Sequence, residues 1–181
     1  MTSGQVKLHT MAYLLYQGGS QAVATEYRSM DVFAVNRSGF GIEIEVKVSW
    51  SDFMSEIETM KYLLDPEQDH GFSAIKKNNG EWKYLKKFDK HRSYLISEAT
   101  HSPRPRYFYF AVPHEFVDKA LKQLEGSPYG LMEDLGNFVR VKKKARILSD
   151  CKFDDYFYFL RKVSNENYQL RKRVIEVNTN K

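Results

Sequence analysis

The chain's 181 residues, 42% hydrophobic and 28% charged, suit one globular domain with a buried core and are few for two. No apolar run approaches the ~20 residues of a membrane span, and the N-terminal MTSGQVKLHT lacks the charged and apolar regions of a secretory signal. The net charge of +5 combines −5 over residues 1–70 with +10 over 71–181, as an acidic metal site beside a polyanion-binding surface would, or an ordinary solvated surface.

Leu8, Met11, Ala12 and Leu15 recur at helical spacing, and Gly18-Gly19 stops that helix. Three strand-like runs follow, Ala22–Tyr27, Met30–Asn36 and Gly41–Ser49, with Arg37-Ser38-Gly39 as the turn between the last two. A second helix is expected near Ser51, its cap, with Phe53, Ile57, Met60 and Leu64 on one face and Asp65-Pro66 at its end. Residues 66–84 read as a polar loop or small excursion, and helical character returns over Tyr84–Ile96. Pro103–Pro105 precede an apolar strand, Tyr107–Val112; a helix over Glu115–Leu124 and short strands near Tyr129–Glu133 and Phe138–Lys142 follow. From about Phe153 the chain reads as helix, with Asn178–Lys181 disordered. The order α-β-β-β-α-β argues for one α/β domain with a mixed sheet.

Alternation along GIEIEVKVS puts Ile42, Ile44, Val46 and Val48 on one face and Glu43, Glu45 and Lys47 on the other. A solvent-exposed sheet face would explain three charges there, but the neighbouring strand is apolar on both sides, with Phe33 and Val35 sharing the parity of Asp31. A hairpin about Arg37–Gly39 would carry Asp31 to the sheet end where Glu45 and Lys47 lie. Phosphodiester hydrolysis uses such a set: carboxylates hold Mg²⁺, which keeps several waters, and a lysine orients or deprotonates the attacking water and meets charge on the phosphate. Without metal the two carboxylates would repel, so exchange of either for its amide is expected to leave the protein equally or more stable.

Asp31, thirteen intervening residues and Glu45-Val46-Lys47 resemble the D…(D/E)xK pattern of PD-(D/E)XK nucleases. The stretches VKVSWSDF (46–53), FDKHRSYL (88–95), RYFYFAVP (106–113), YGLMED (129–134) and KKKARIL (142–148) look like segments of MmcB-type proteins and related phage or prophage proteins of that superfamily, which are linked to DNA repair. The resemblance implies a restriction-endonuclease-like αβββαβ core over about 5–148 within one domain of 1–181, an insertion over about 60–87 and a C-terminal helical extension over about 152–177. It implies a Mg²⁺-dependent DNA nuclease, with Mn²⁺ able to substitute. Asp31 and Glu45 would be metal ligands, the Val46 carbonyl oxygen a further one, Lys47 the catalytic lysine and Glu26 an extra catalytic acid. Met30 stands where the superfamily's proline would be. A DNA-binding accessory protein that no longer cuts is the alternative, and an unrelated α/β interaction domain a third reading. A homodimer stays open.

Lys76, Lys77, Lys83, Lys86, Lys87, Lys90 and Arg92 lie within seventeen residues, interleaved with Trp82, Tyr84 and Phe88. They read either as a phosphate- and base-binding surface, with Lys86, Lys87, Lys90, His91 and Arg92 in contact with DNA, or as a solvated amphipathic helix. Arg140, Lys142, Lys143, Lys144 and Arg146 form a second cluster with the same two readings. Glu43 could be a third ligand or a surface group. The histidines show no zinc spacing, the run Tyr156–Phe159 reads as core, and Cys151, the single cysteine, reads as structural. One cysteine excludes an internal disulfide and a cysteine zinc cage, and the cytoplasm is the expected compartment.

Overall fold

The computed structural model of the chain describes residues 1–71, 73–76, 79–96 and 104–179. A six-stranded mixed sheet carries the fold. α1 (Ser3–Tyr16) leads into β1 (Ser20–Tyr27), β2 (Met30–Asn36) and β3 (Gly41–Val46), which form an antiparallel meander. α2 (Trp50–Leu64), the hairpin β4 (Ala74–Lys76)–β5 (Trp82–Tyr84) and α3 (Phe88–Leu95) then cross to β6 (Tyr107–Pro113), which pairs parallel to β3. A 3-10 turn and α4 (Val117–Gln123) lead to β7 (Gly130–Asp134), parallel to β6; β8 (Val139–Lys143) closes the sheet antiparallel, and α5 (Tyr156–Thr179) follows.

The period of two along each strand sorts the core into layers. Val32, Ala34, Ile42, Ile44, Val46, Ala111 and Met132 face α1 through Val6 and Leu14. On the opposite face, Phe108, Phe110, Val112 and Leu131 pack against Phe53, Ile57 and Met60 of α2 and Val117 and Ala120 of α4. The β1–β2 end of that face is covered by Phe153 and Phe159, whose rings meet Tyr27 and Phe33 edge-on or tilted. A separate small cluster of Leu63, Leu85 and Phe88 ties α2 to the start of α3, with Ile75 of the hairpin packed against it.

Several local expectations change. α1 starts earlier, at a capping box of Thr2 and Gln5, and buries Val6, Thr10 and Leu14; Leu8 and Leu15 face outward. The apolar stripe chosen from the sequence was the wrong one because Thr10, a small polar residue, occupies the buried position between Val6 and Leu14. β3 stops at Val46, although the Lys47 N–H still donates to the Ala111 carbonyl at 2.9 Å. Ser49, not Ser51, is the N-cap residue of α2, and Leu63 replaces Leu64 on the buried face. Helix is absent at Tyr84, which lies in β5; α3 begins only after Lys87, whose φ of 54° breaks the chain direction. Of the run 156–159, Phe159 is buried while Phe157 and Tyr158 are exposed, Cys151 is exposed, and α5 continues through Thr179.

Gly130 holds β6 and β7 together through the lack of a side chain. A Cβ there would run into the Tyr109 ring and come within 2.8 Å of the Ala145 backbone nitrogen. Backbone cannot turn aside as a side chain can. Gly130→Ala is therefore expected to destabilise by about 1–3 kcal/mol, the usual cost of overpacking; a melting temperature equal to wild type would show that the β7–β8 edge yields freely.

Candidate functional site

The alternation of β3 places Glu43, Glu45 and Lys47 on the face opposite α1. There they form a charged stripe between the Phe33 and Phe108 clusters, beneath α2 and α3. Glu43 and Glu45 are fully buried and Lys47 is 3% exposed. Charges persist in such a place only when paired. One Glu45 oxygen accepts from Lys87 and the other from Lys90, with Lys47 3.6 Å away. Lys90 also pairs with Glu43, whose second oxygen accepts from the Tyr94 hydroxyl at 2.5 Å. Lys47 donates to Glu56 of α2 and lies 3.2 Å from Asp52. Glu56 further holds Lys87 at 2.9 Å and His91 Nε2 at 3.3 Å, while His91 Nδ1 is 2.9 Å from the Tyr129 hydroxyl. Three buried glutamates, Glu43, Glu45 and Glu56, are thus met by three lysines, Lys47, Lys87 and Lys90.

Asp31 joins from β2. Val32 opposes Ile44, so the register continued by one residue sets Asp31 beside Glu45. Its Oδ2 accepts from the Val46 N–H at 2.9 Å and its Oδ1 lies 2.9 Å from Lys7 Nζ of α1. Lys7 also pairs with Glu26, which is exposed at the end of β1 with a φ of 50°.

The surroundings bias each group. Burial opposes the charge on Asp31, but Lys7 and the Val46 N–H outweigh it and hold its carboxyl below the usual range. Burial also opposes the charge on Glu56, yet the His91 hydrogen bond with Lys47 and Lys87 keeps it ionised far below that range. Burial raises the Glu43 carboxyl in spite of Lys90. Burial would lower Lys87 and Lys90; their glutamate partners win and raise both. His91 is pushed down by burial, only partly restored by Glu56, so the ring is neutral. With Nε2–H donating to Glu56, its Nδ1 accepts from Tyr129.

The neutral buried histidine has a pH signature. An unfolded histidine takes its proton near ~6.5, before the folded one, so this contribution is whole above that pH and is lost as pH falls toward the depressed folded value. The stability advantage of wild type over His91→Gln is expected to shrink between about pH 7 and about pH 5. Melting curves of both proteins at the two pH values measure it, and a constant gap would mean that His91 is not the group titrating.

Among the residues predicted from the sequence, Asp31, Glu45 and Lys47 come together at one sheet end, and Glu26 stands one lysine away from Asp31. The DNA-contact set divides. His91 is buried and contacts Glu56 and Tyr129, so its place on an outer surface is corrected; helical spacing with Phe88 and Tyr94 turns it inward. Lys87 and Lys90 also point inward, to Glu45. Lys86 pairs with Asp52 and Lys83 with Glu58, while Arg92 is exposed. Trp82 and Tyr84 are exposed and Phe88 packs inward. Lys77, the Lys76 side chain, His101 and Pro103 lie outside the described residues. In the second cluster Arg140 pairs with Glu133, and Lys143 and Arg146 donate to the carbonyls of Ser127, Tyr129 and Gly126. Lys7, Asp52, Glu56, Tyr94 and Tyr129 were missed. Glu56 had a signal, since it sits on the apolar stripe of Phe53, Ile57 and Met60, where a lone charge needs a partner.

Among the described residues no group of three His, Cys, Asp or Glu side chains forms a metal cage. Two adjacent carboxylates nevertheless suit Mg²⁺, which takes one or two of them and keeps waters and phosphate oxygens for the rest. The register makes Asp31 and Glu45 neighbours that supply such hard oxygens, and each now holds lysine, Asp31 through Lys7 and Glu45 through Lys87 and Lys90. The donor set fits that ion.

No protein-family model matches the chain, and no curated protein matches it. Among solved structures, a protein of unknown function from Silicibacter pomeroyi superposes with a TM-score of 0.53 at 14% identity, over 98% of this chain and 94% of that one. At that identity the likeness shows a shared fold alone. Among the described residues no helix is long and apolar enough to cross a membrane.

Proposed function

We propose that the chain is a Mg²⁺-dependent deoxyribonuclease, with the DNA-repair or prophage setting that its resemblance to MmcB-type proteins implies. The observation that carries this reading is the register of β2 and β3, which sets Asp31 beside Glu45 with Lys47 two residues further on the same face. Asp31 and Glu45 would hold the ion, which when bound polarises the phosphate and acidifies a coordinated water. Lys47 presents its ammonium to the same place, where it orients the water and meets charge growing on the phosphate. Glu56 and Asp52 fix the Lys47 ammonium, and the His91–Tyr129 pair fixes Glu56. Lys86 and Arg92 would line the path of the strand.

One observation favours the non-cleaving alternative: every Glu45 oxygen already has a lysine. Incubation with plasmid, single-stranded and branched DNA in Mg²⁺ or Mn²⁺, with a chelator as control, separates the two. Metal-dependent breakage is expected. Retained DNA binding without breakage in either metal would establish the accessory role.

A further inference from the structure

Lys87 and Lys90 have two sides. Inward, each holds a Glu45 oxygen; Lys87 also keeps Glu56, and Lys90 keeps Glu43. Outward, both line a cleft of about 440 Å³ between the β1–β2 turn, the hairpin and α3. Ser29 and Ser73 add hydroxyls to its wall, Tyr84 adds an exposed ring, and Asp89 is the carboxylate on its lining. Both serine hydroxyls and both ammoniums are donors suited to phosphate oxygens.

The two sides compete. A divalent ion arriving at Asp31 and Glu45 would meet the ammoniums of Lys87 and Lys90 within ion-pair distance of its own ligand, a repulsion that weakens metal binding to the free protein. A phosphate in the cleft offers those lysines a replacement anion. Lys87, the more exposed of the pair at 27%, can turn outward while Lys47 and His91 continue to hold Glu56.

We infer that the cleft binds a backbone phosphate of the substrate strand, and that this phosphate draws Lys87 and Lys90 off Glu45, so that strand and metal bind cooperatively. The inference rests on the nuclease reading of Asp31 and Glu45. Cooperativity of this kind is reciprocal, so the metal must also tighten the strand.

The test is calorimetric titration of Mn²⁺ into the full chain, alone, with a hydrolysis-resistant phosphorothioate single strand, and with an uncharged methylphosphonate strand of the same sequence. Heats of Mn²⁺ binding to each strand alone are subtracted. The phosphorothioate strand is expected to tighten Mn²⁺ by about tenfold or more, within the usual range of coupling, and the uncharged strand to leave it unchanged. Lys87→Gln and Lys90→Gln are expected to bind Mn²⁺ more tightly without any strand and to lose the enhancement. Mn²⁺ binding that is measurable but indifferent to the charged strand overturns the coupling and leaves the metal site standing. No Mn²⁺ binding under any condition overturns both. If either lysine variant fails to fold, the three wild-type titrations still decide.

Discussion

Glu45→Gln is expected to lower the melting temperature of the metal-free protein by roughly 6–12 °C, and under the proposed function to abolish hydrolysis. The reason is the company Glu45 keeps. Its carboxylate is fully buried and holds Lys87 and Lys90. Removing one partner of a buried ion pair costs about 3–5 kcal/mol, because the other charge is left without compensation. Lys87 is partly exposed and can reach water, which puts the expected cost near the lower end, about 3 kcal/mol. In a domain of this size each kcal/mol moves the midpoint by about 2–4 °C. The sequence alone points the other way, to Asp31 and Glu45 as two carboxylates in mutual repulsion. The lysines that neutralise them were not visible in the D…ExK pattern, and their presence changes the sign. Asp31→Asn should cost less, since Asp31 and Lys7 are only partly buried and Lys7 keeps Glu26 as a partner. A Glu45→Gln protein that melts at or above the wild-type temperature would show that Lys87 and Lys90 do not depend on Glu45.

The meander and the charged face of β3 could be read in advance because they follow from alternation and from one turn. Gly41–Val46 has six consecutive buried positions, and a period of two assigns each to a face without knowledge of any partner. The Arg37–Gly39 turn then fixes the register that sets Asp31 beside Glu45. What could not be read depends on elements distant in sequence. The lysines that meet Glu45 lie 42 and 45 residues away, beyond a hairpin whose strands are three residues each. Strands so short give almost no periodic signal, so the sequence reads Tyr84 as helical and shows no cause for the inward turn at Lys87. A left-handed conformation at a lysine is costly and is held by its surroundings, here by Glu45 and Glu56. A basic run therefore reads as surface although two of its members, Lys87 and Lys90, are internal counter-charge. His91 shows the same limit: its spacing from Phe88 and Tyr94 announces burial, but only the fold supplies Glu56 and Tyr129 as the reason.

Under the proposed function, Lys47→Met is expected to reduce hydrolysis by about 10²–10³-fold at saturating Mg²⁺, the usual cost of removing one group that stabilises charge in the transition state. Methionine keeps the aliphatic stem in a site that is 3% exposed and deletes only the ammonium. Glu56, the main partner of Lys47, keeps Lys87 and His91, so the loss of fold stability should be smaller than for Glu45→Gln. Neither Asp31 nor Glu45 is altered, so Mn²⁺ affinity should stay within a few-fold of wild type or increase, because a positive charge 3.6 Å from Glu45 has gone. DNA affinity should likewise hold, since Lys47 is buried behind Asp52 and Glu56 and contributes little to the counterions that a bound strand releases. This pattern, activity lost with metal and DNA binding kept, is specific to a residue acting on the water or the phosphate. A purely structural Lys47 predicts another pattern, in which melting temperature, metal binding and DNA binding fall together. Single-turnover cleavage at saturating Mg²⁺, read beside Mn²⁺ calorimetry and a DNA-binding titration, distinguishes them; cleavage at the wild-type rate would remove Lys47 from the chemistry even if Asp31 and Glu45 proved to hold the ion.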